Sequence, residues 1–173
     1  MLEAALERGE LRHRPIHGDP KINNVMMDEA SGKAVSLIDL DTVKPGLVHY
    51  DIGDCLRSCC NPVGEEETNL DAVHFDLGLC EAILDGYLTV ARGFLSRWDL
   101  HYLPDCIRLI PLELGLRFLT DHLEGDVYFR TNRPDHNLRR AAVQFRLTAS
   151  IEAQMDAIRA LVRKLGADIG NGH

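Results

Sequence analysis

The 173 residues carry 27 acidic against 19 basic side chains, a formal charge of -8, and 45% of them are apolar. That composition suits one core-forming domain, and its acidic balance argues against a nucleic-acid partner, which needs a basic face. No apolar run is long enough for a bilayer and "MLEAALERGELRHR" has no apolar signal core, so no membrane partner and a cytoplasmic location are expected.

In chain order, "LEAALERG" reads as a short helix stopped at Gly9. "RPIHG" is a short extended piece. "NVMMD" and "AVSLIDL" are strand candidates joined by the turn residues "EASGK", so 24–39 reads as a β-hairpin. Two short strands cannot stand alone, so the hairpin is expected to lie on the helices. After "KPG" the period becomes helical, and "YDIGDCLRSCC" places Ile52, Leu56 and Cys59 or Cys60 on one face. "NPVGEEETN" interrupts it. From about Leu70 to Leu95 apolar residues recur every three or four positions, which predicts one long amphipathic helix. "LPDCIRLIPLELGLRFLTDHLEG" predicts another, bent at Pro111. "DVYFRTNRPDHN" is a polar loop bearing aromatic residues, and "LRRAAVQFRLTASIEAQMDAIRALVRKLG" predicts one final helix before a frayed tail, "ADIGNGH". Cys55, Cys59, Cys60, Cys80 and Cys106 contain no CxxC and read as reduced thiols rather than a zinc site.

The chemistry concentrates at the tips of the two strands. Asp19 lies just before the first, preceded by His17 and followed by Lys21 and Asn24; Asp39 ends the second. Pairing of the hairpin brings Asn24 and Asp39 together, and an amide oxygen beside a carboxylate is a hard donor set that Mg2+ accepts. Asp19 is then free to take a proton from an attacking hydroxyl, and Lys21 to neutralise a phosphoryl group in transfer. His17 reads as a residue that shapes the loop. Asp41 either supports the metal site or caps the following turn.

The segment "HGDPKINN" resembles the catalytic loop of kinases, and "LIDLD" stands where kinases carry DFG. With "YDIGD", the pattern resembles the aminoglycoside phosphotransferase and choline kinase group. The runs 21–58 and "GLRFLTDHLEGDVYFRTNRPDHNLRR" resemble N-acetylhexosamine 1-kinases within it. The resemblance runs from about Ile16 to Phe145. It implies an α+β, mostly helical fold, the C-terminal lobe of a protein-kinase-like fold. In it a catalytic loop (16–24), a metal-binding hairpin (24–41) and a helical substrate-binding part (50–166) form one domain, 1–173. Asp19 would be the catalytic base, and Asn24 and Asp39 would hold Mg2+ on ATP. Lys21 would approach the γ-phosphate. Asp51 would support the catalytic loop, with Arg57 either paired to it or facing solvent.

For the sugar, Arg117, Asp121, Tyr128 and His136 are the candidates. Arg117 and Asp121 share a helix face and are either an ordinary ion pair or ligands. Phe129 reads as core, and Asp135 or Asn137 as a cap of the last helix. An N-terminal lobe with a phosphate-covering loop and a strand-borne lysine is not recognisable, so the chain is expected to act poorly alone. Choline, homoserine or aminoglycoside phosphorylation is the alternative chemistry, and a lobe that only binds a ligand or partner is the non-catalytic one.

Overall fold

The computed structural model describes residues 1–169. Helix α1 (Leu2–Glu7) leads into β1 (Arg14–Ile16). Next come β2 (Val25–Met27), β3 (Ala34–Leu37) and β4 (Lys44–Gly46), and then α2 (Val48–Cys59), α3 (Leu77–Ala91), α4 (Arg97–Leu123), α5 (His136–Ala153) and α6 (Met155–Leu165). The chain is mostly helical, with two small antiparallel sheets, β1–β4 and β2–β3. The "KPG" segment, read as a connection, is strand β4 and pairs with β1 from Arg14 opposite Gly46 to Ile16 opposite Lys44.

One apolar core joins α2, α3, α4, α5 and α6 through Leu56, Leu84, Ile107, Val143, Leu147, Ile151 and Ile158, all fully buried. Helix α4 lies along both α5 and α2, and glycine sets the spacing at each crossing. A methyl group on Gly53 would stand 2.6 Å from Ile110 Cγ1, and one on Gly115 would stand 2.7 Å from the Phe145 ring. Neither gap has room for even an alanine.

The helical part departs from the sequence reading at three places, each explained by a local polar contact. The expected helix from Leu70 to Leu95 is interrupted: Leu70–Ala72 is one 3-10 turn, 73–76 is non-helical, and α3 begins only at Leu77. Asp76 accepts from the Leu79 backbone N–H and so starts the helix, while the Phe75 N–H goes to Ser150 Oγ. Helix α4 begins before the run that suggested it, because Ser96 and Asp99 form a reciprocal capping box. It then runs through Pro104 and Pro111, which leave the Leu100 and Ile107 carbonyls without their helical donors. The single final helix is two. Gln154 leaves helical geometry between α5 and α6, and its amide bonds the Phe75 and Ser150 carbonyls. Of the tail expected to fray, 170–173 lie outside the described residues, and Ile169 is buried.

The hairpin pairs as read, Val25 opposite Leu37 and Met26 opposite Ser36, with an irregularity after Met26. It does not lie on the helices: every residue of β3 is exposed, and so are Met26 and Met27. It is held at its base instead. The Ile38 N–H donates to the Asn24 carbonyl at 2.9 Å, and Asn24 itself is buried.

Strand β1 is tied to the start of α4 by Arg14, whose guanidinium bonds both Asp99 oxygens at 3.1 and 3.0 Å and the Phe94 carbonyl at 2.7 Å. Burial works against Asp99 ionisation, but Arg14 and Ser96 outweigh it and hold the carboxyl below its ordinary range. A carboxyl lowered in the folded state stabilises above its unfolded pKa, and that contribution is lost as pH falls through the folded value. Asp99→Asn should therefore cost about 3 kcal/mol near neutral pH. Its stability should also fall less steeply than wild type on acidification below the ordinary carboxylate pKa of about 3.8. Urea unfolding at a series of pH values checks both.

Candidate functional site

Strand β1 ends at Ile16, and the loop that follows is built around the Asp51 carboxylate on the first turn of α2. Asp51 Oδ2 accepts from the His17 backbone N–H at 2.7 Å, and Oδ1 from that of Gly18 at 2.9 Å. The next layer uses His17, which is buried. Its Nδ1 accepts from the Asp19 N–H at 3.3 Å, which leaves Nε2–H to donate to the Ile38 carbonyl at 3.0 Å. One imidazole thus ties the loop to the end of β3. The Thr42 hydroxyl closes the layer by donating to the His17 carbonyl at 2.7 Å. Gly18 is required twice over. Its φ is +89°, and a Cβ there would sit 2.8 Å from the Thr42 carbonyl oxygen.

With the backbone fixed from below, Asp19 is half exposed above it. Lys21 Nζ donates to Asp19 Oδ2 at 2.6 Å. Asn24 Nδ2 donates to the Asp19 carbonyl at 2.8 Å and to Asp19 Oδ2 at 3.4 Å. The bond with Asp19 raises the Lys21 pKa against partial burial, and Asp39 and Asp54 add to the rise. The negative charge of three carboxylates therefore converges on one ammonium. Asp39 is exposed and holds a left-handed backbone, φ 67° and ψ 56°, a conformation an aspartate adopts rarely and that concentrates at functional sites. Asp41 sits in the next 3-10 turn, Leu40–Thr42, and is exposed.

The donors present fit a magnesium ion. Among the described residues no three His, Cys, Asp or Glu side chains form a complete cage. Magnesium usually takes one or two protein oxygens and completes its shell with phosphate and water. The Asn24 amide oxygen and the Asp39 carboxylate are of that kind.

A cleft of about 970 Å³ opens from Gly18, Asp19 and Lys21 and runs along α2 and α4 to the loop after α4. Arg117, Phe118, Tyr128 and Phe129 form its far wall. The Arg117 guanidinium lies over the Tyr128 ring at 5.7 Å and the Phe129 ring at 5.3 Å. Phe129 packs on Phe118 with centroids 4.6 Å apart, whereas Tyr128 is 74% exposed and available to a ligand.

Other sugar candidates serve the wall from behind. Arg117 pairs with Glu113, at 3.7 Å, rather than with Asp121. Asp121 is buried and accepts from the Tyr128 and Phe129 N–H groups at 2.7 and 3.0 Å and from Asn137 Nδ2 at 2.8 Å. Burial opposes its ionisation, but the N–H groups of Phe129, Tyr128 and Val127 keep its carboxyl below the usual range. His136 is also buried, and its Nε2 bonds the Glu66 carboxylate at 2.6 Å. Neither side chain lines the cleft. Asp135 and Asn137 are not side-chain caps of α5: Asp135 has a left-handed backbone and makes no capping bond, and Asn137 lies inside the helix.

The sequence reading overlooked Asp54, Glu65 and Arg140, which line the cleft, and it read Arg57, which lines it too, as paired with Asp51 or facing solvent. Arg57 is buried and pairs with Asp54 at 2.8 Å and Glu65 at 3.4 Å, not with Asp51. A signal for Asp54 was present, since it is the second acid of "YDIGD", one turn after Asp51. Nothing in the local pattern marks Arg140, which reaches the cleft from α5.

Residues 1–88 match the phosphotransferase enzyme family APH. The matched segment contains β1, both sheets, the loop 16–24 and α2, and so spans half of the chain; the chain belongs to that family.

Proposed function

We propose that this member of the phosphotransferase enzyme family transfers the γ-phosphoryl group of ATP to the anomeric hydroxyl of an N-acetylhexosamine. The observation that carries the reading is the shared cleft, with Asp19 and Lys21 at one end and Arg117 beside an exposed Tyr128 at the other. Asp19 accepts the proton of the anomeric hydroxyl, that oxygen attacks the γ-phosphorus, and the bond to the β-phosphate oxygen breaks to leave ADP. Lys21, already charged by its pairing with Asp19, offsets negative charge on the group in transfer. Asn24 and Asp39 would hold Mg2+, which neutralises and orients the phosphates when bound. Asp51 and His17 act through the backbone: they fix where Asp19 stands.

The pairing of charges favours a neutral acceptor. Each acid lining the cleft is met by a cation: Asp19 by Lys21, Asp54 and Glu65 by Arg57, and Glu113 by Arg117. A polycationic aminoglycoside or a quaternary ammonium would have to compete with these cations for the carboxylates. A neutral sugar instead finds an aromatic ring for its C–H face and a guanidinium for an acetamido carbonyl.

Arg117→Ala should raise KM for N-acetylglucosamine or N-acetylgalactosamine by about 10- to 100-fold, the range of one lost hydrogen bond to a charged group. The kcat should change little, and glucose, which lacks the acetamido group, should be used equally by both proteins. Steady-state kinetics on the three sugars checks this. An equal loss for glucose would remove Arg117 from acetamido recognition.

A further inference from the structure

Helix α2 carries a second constellation that phosphoryl transfer does not use. Cys55 and Cys59 are one turn apart, partly exposed, with their sulfurs 4.0 Å from each other. We propose that these two thiols form a binding site for a thiophilic monovalent metal ion of the copper(I) class. The site lies one helical turn beyond the Asp51 carboxylate that holds the loop.

The spacing selects a bridging ion over a disulfide. Side chains four apart on a helix have Cβ atoms about 5–6 Å apart, whereas a disulfide needs about 3.5–4.5 Å. Oxidation would therefore have to unwind the end of α2. An ion at about 2.3 Å from each sulfur, a usual metal–thiolate length, fits the 4.0 Å gap with a bent S–metal–S angle of about 120°. That is the angle of a three-coordinate ion completed by one exogenous ligand. Two protein thiolates are too few for zinc, which takes four ligands in structural sites and three in catalytic ones. Soft, low-coordinate copper(I) is selected by thiolates alone.

The thiols also differ in readiness. Cys55 and Cys59 share one S–H···S contact at 4.0 Å in which either sulfur can donate. Cys60 and Cys106 are buried, and their pKa values are pushed up: Cys60 by its bond to Cys80 and by burial, and Cys106 to about 12 by burial. Binding exchanges the Cys55 and Cys59 protons for one cation and needs no oxidant.

The test is anaerobic titration with copper(I) in competition with a chromophoric copper(I) chelator. It uses the wild-type chain, Cys55→Ser/Cys59→Ser, and Cys60→Ser/Cys80→Ser as the control pair. Circular dichroism of each confirms folding. Wild type and the control should take up one equivalent, and the Cys55→Ser/Cys59→Ser protein should bind at least 100-fold more weakly. Should the control pair fold poorly, Cys106→Ser replaces it. Uptake unchanged in Cys55→Ser/Cys59→Ser, or zinc displacing copper(I) from the wild-type site, would overturn the proposal. Phosphoryl transfer plays no part in this readout, so the outcome is independent of the proposed kinase reaction.

Discussion

Asp19→Asn should lower kcat for phosphoryl transfer by about 10²- to 10⁴-fold, the contribution of a positioned general base, and leave nucleotide binding nearly unchanged. The asparagine is isosteric, keeps the backbone carbonyl that Asn24 holds, and retains a side-chain oxygen for Lys21. What it loses is the capacity to take a proton. A structural defect would give a different pattern: it would weaken nucleotide binding along with kcat and lower the thermal midpoint. Rate measurements with nucleotide titration on the same preparations separate the two. Activity unchanged in Asp19→Asn would reject the assigned base.

The second large effect is expected at a residue that never meets the substrate. Asp51→Ala should reduce kcat by about 10²-fold or more, because a displacement of about 1 Å in a positioned group costs that much. It should also destabilise the protein by about 2–5 kcal/mol, since two backbone N–H groups lose a charged acceptor and each unsatisfied donor costs about 1–3 kcal/mol. Asp51→Asn keeps one acceptor oxygen and should recover part of both losses. The side chain's two bonds, to His17 N–H and Gly18 N–H, are the whole basis of the prediction. If Asp51→Ala retains wild-type kcat and unfolds at the wild-type urea midpoint, the loop is held by something else. Hydrogen exchange at His17 and Gly18 supplies the readout specific to positioning: both amides should lose protection in Asp51→Ala and regain it in Asp51→Asn.

Much of the loop was legible in the sequence because its chemistry is local. Asp19, Lys21 and Asn24 lie within six positions, and a short hairpin has only one register that leaves its turn at "EASGK". The helix boundaries were less legible, because apolar period alone does not mark where a helix stops. Asp76, Ser96 and Gln154 each end or begin a helix through hydrogen bonds, that of Gln154 to a residue distant in sequence. The far wall of the cleft was the least legible part. The i, i+4 spacing that puts Arg117 and Asp121 on one stripe says nothing of where the next loop goes. That loop folds back onto Asp121, consuming its carboxylate with two backbone N–H groups and leaving Arg117 to stack on Tyr128 and Phe129. Likewise His136 reads as a loop histidine able to meet a ligand, until a glutamate 70 positions earlier takes its ring N–H.

The exposed hairpin runs against burial logic. Its apolar residues Val35, Leu37 and Ile38 remain more than 40% exposed, against the usual tendency of a two-stranded sheet to seek cover. The Asp39 backbone stays in the left-handed region beside them. In the proposed reaction this strand end faces the nucleotide, and strain held there is consistent with a carboxylate aimed at a ligand rather than at the protein.

The most direct test is to incubate the protein with MgATP and N-acetylglucosamine or N-acetylgalactosamine and follow the mixture by phosphorus NMR. The protein is used beside its Asp19→Asn variant. A sugar 1-phosphate resonance growing as ADP forms, and missing with Asp19→Asn, is the predicted result. ADP and free phosphate without a phosphorylated sugar, or product at the same rate in the Asp19→Asn protein, would contradict it.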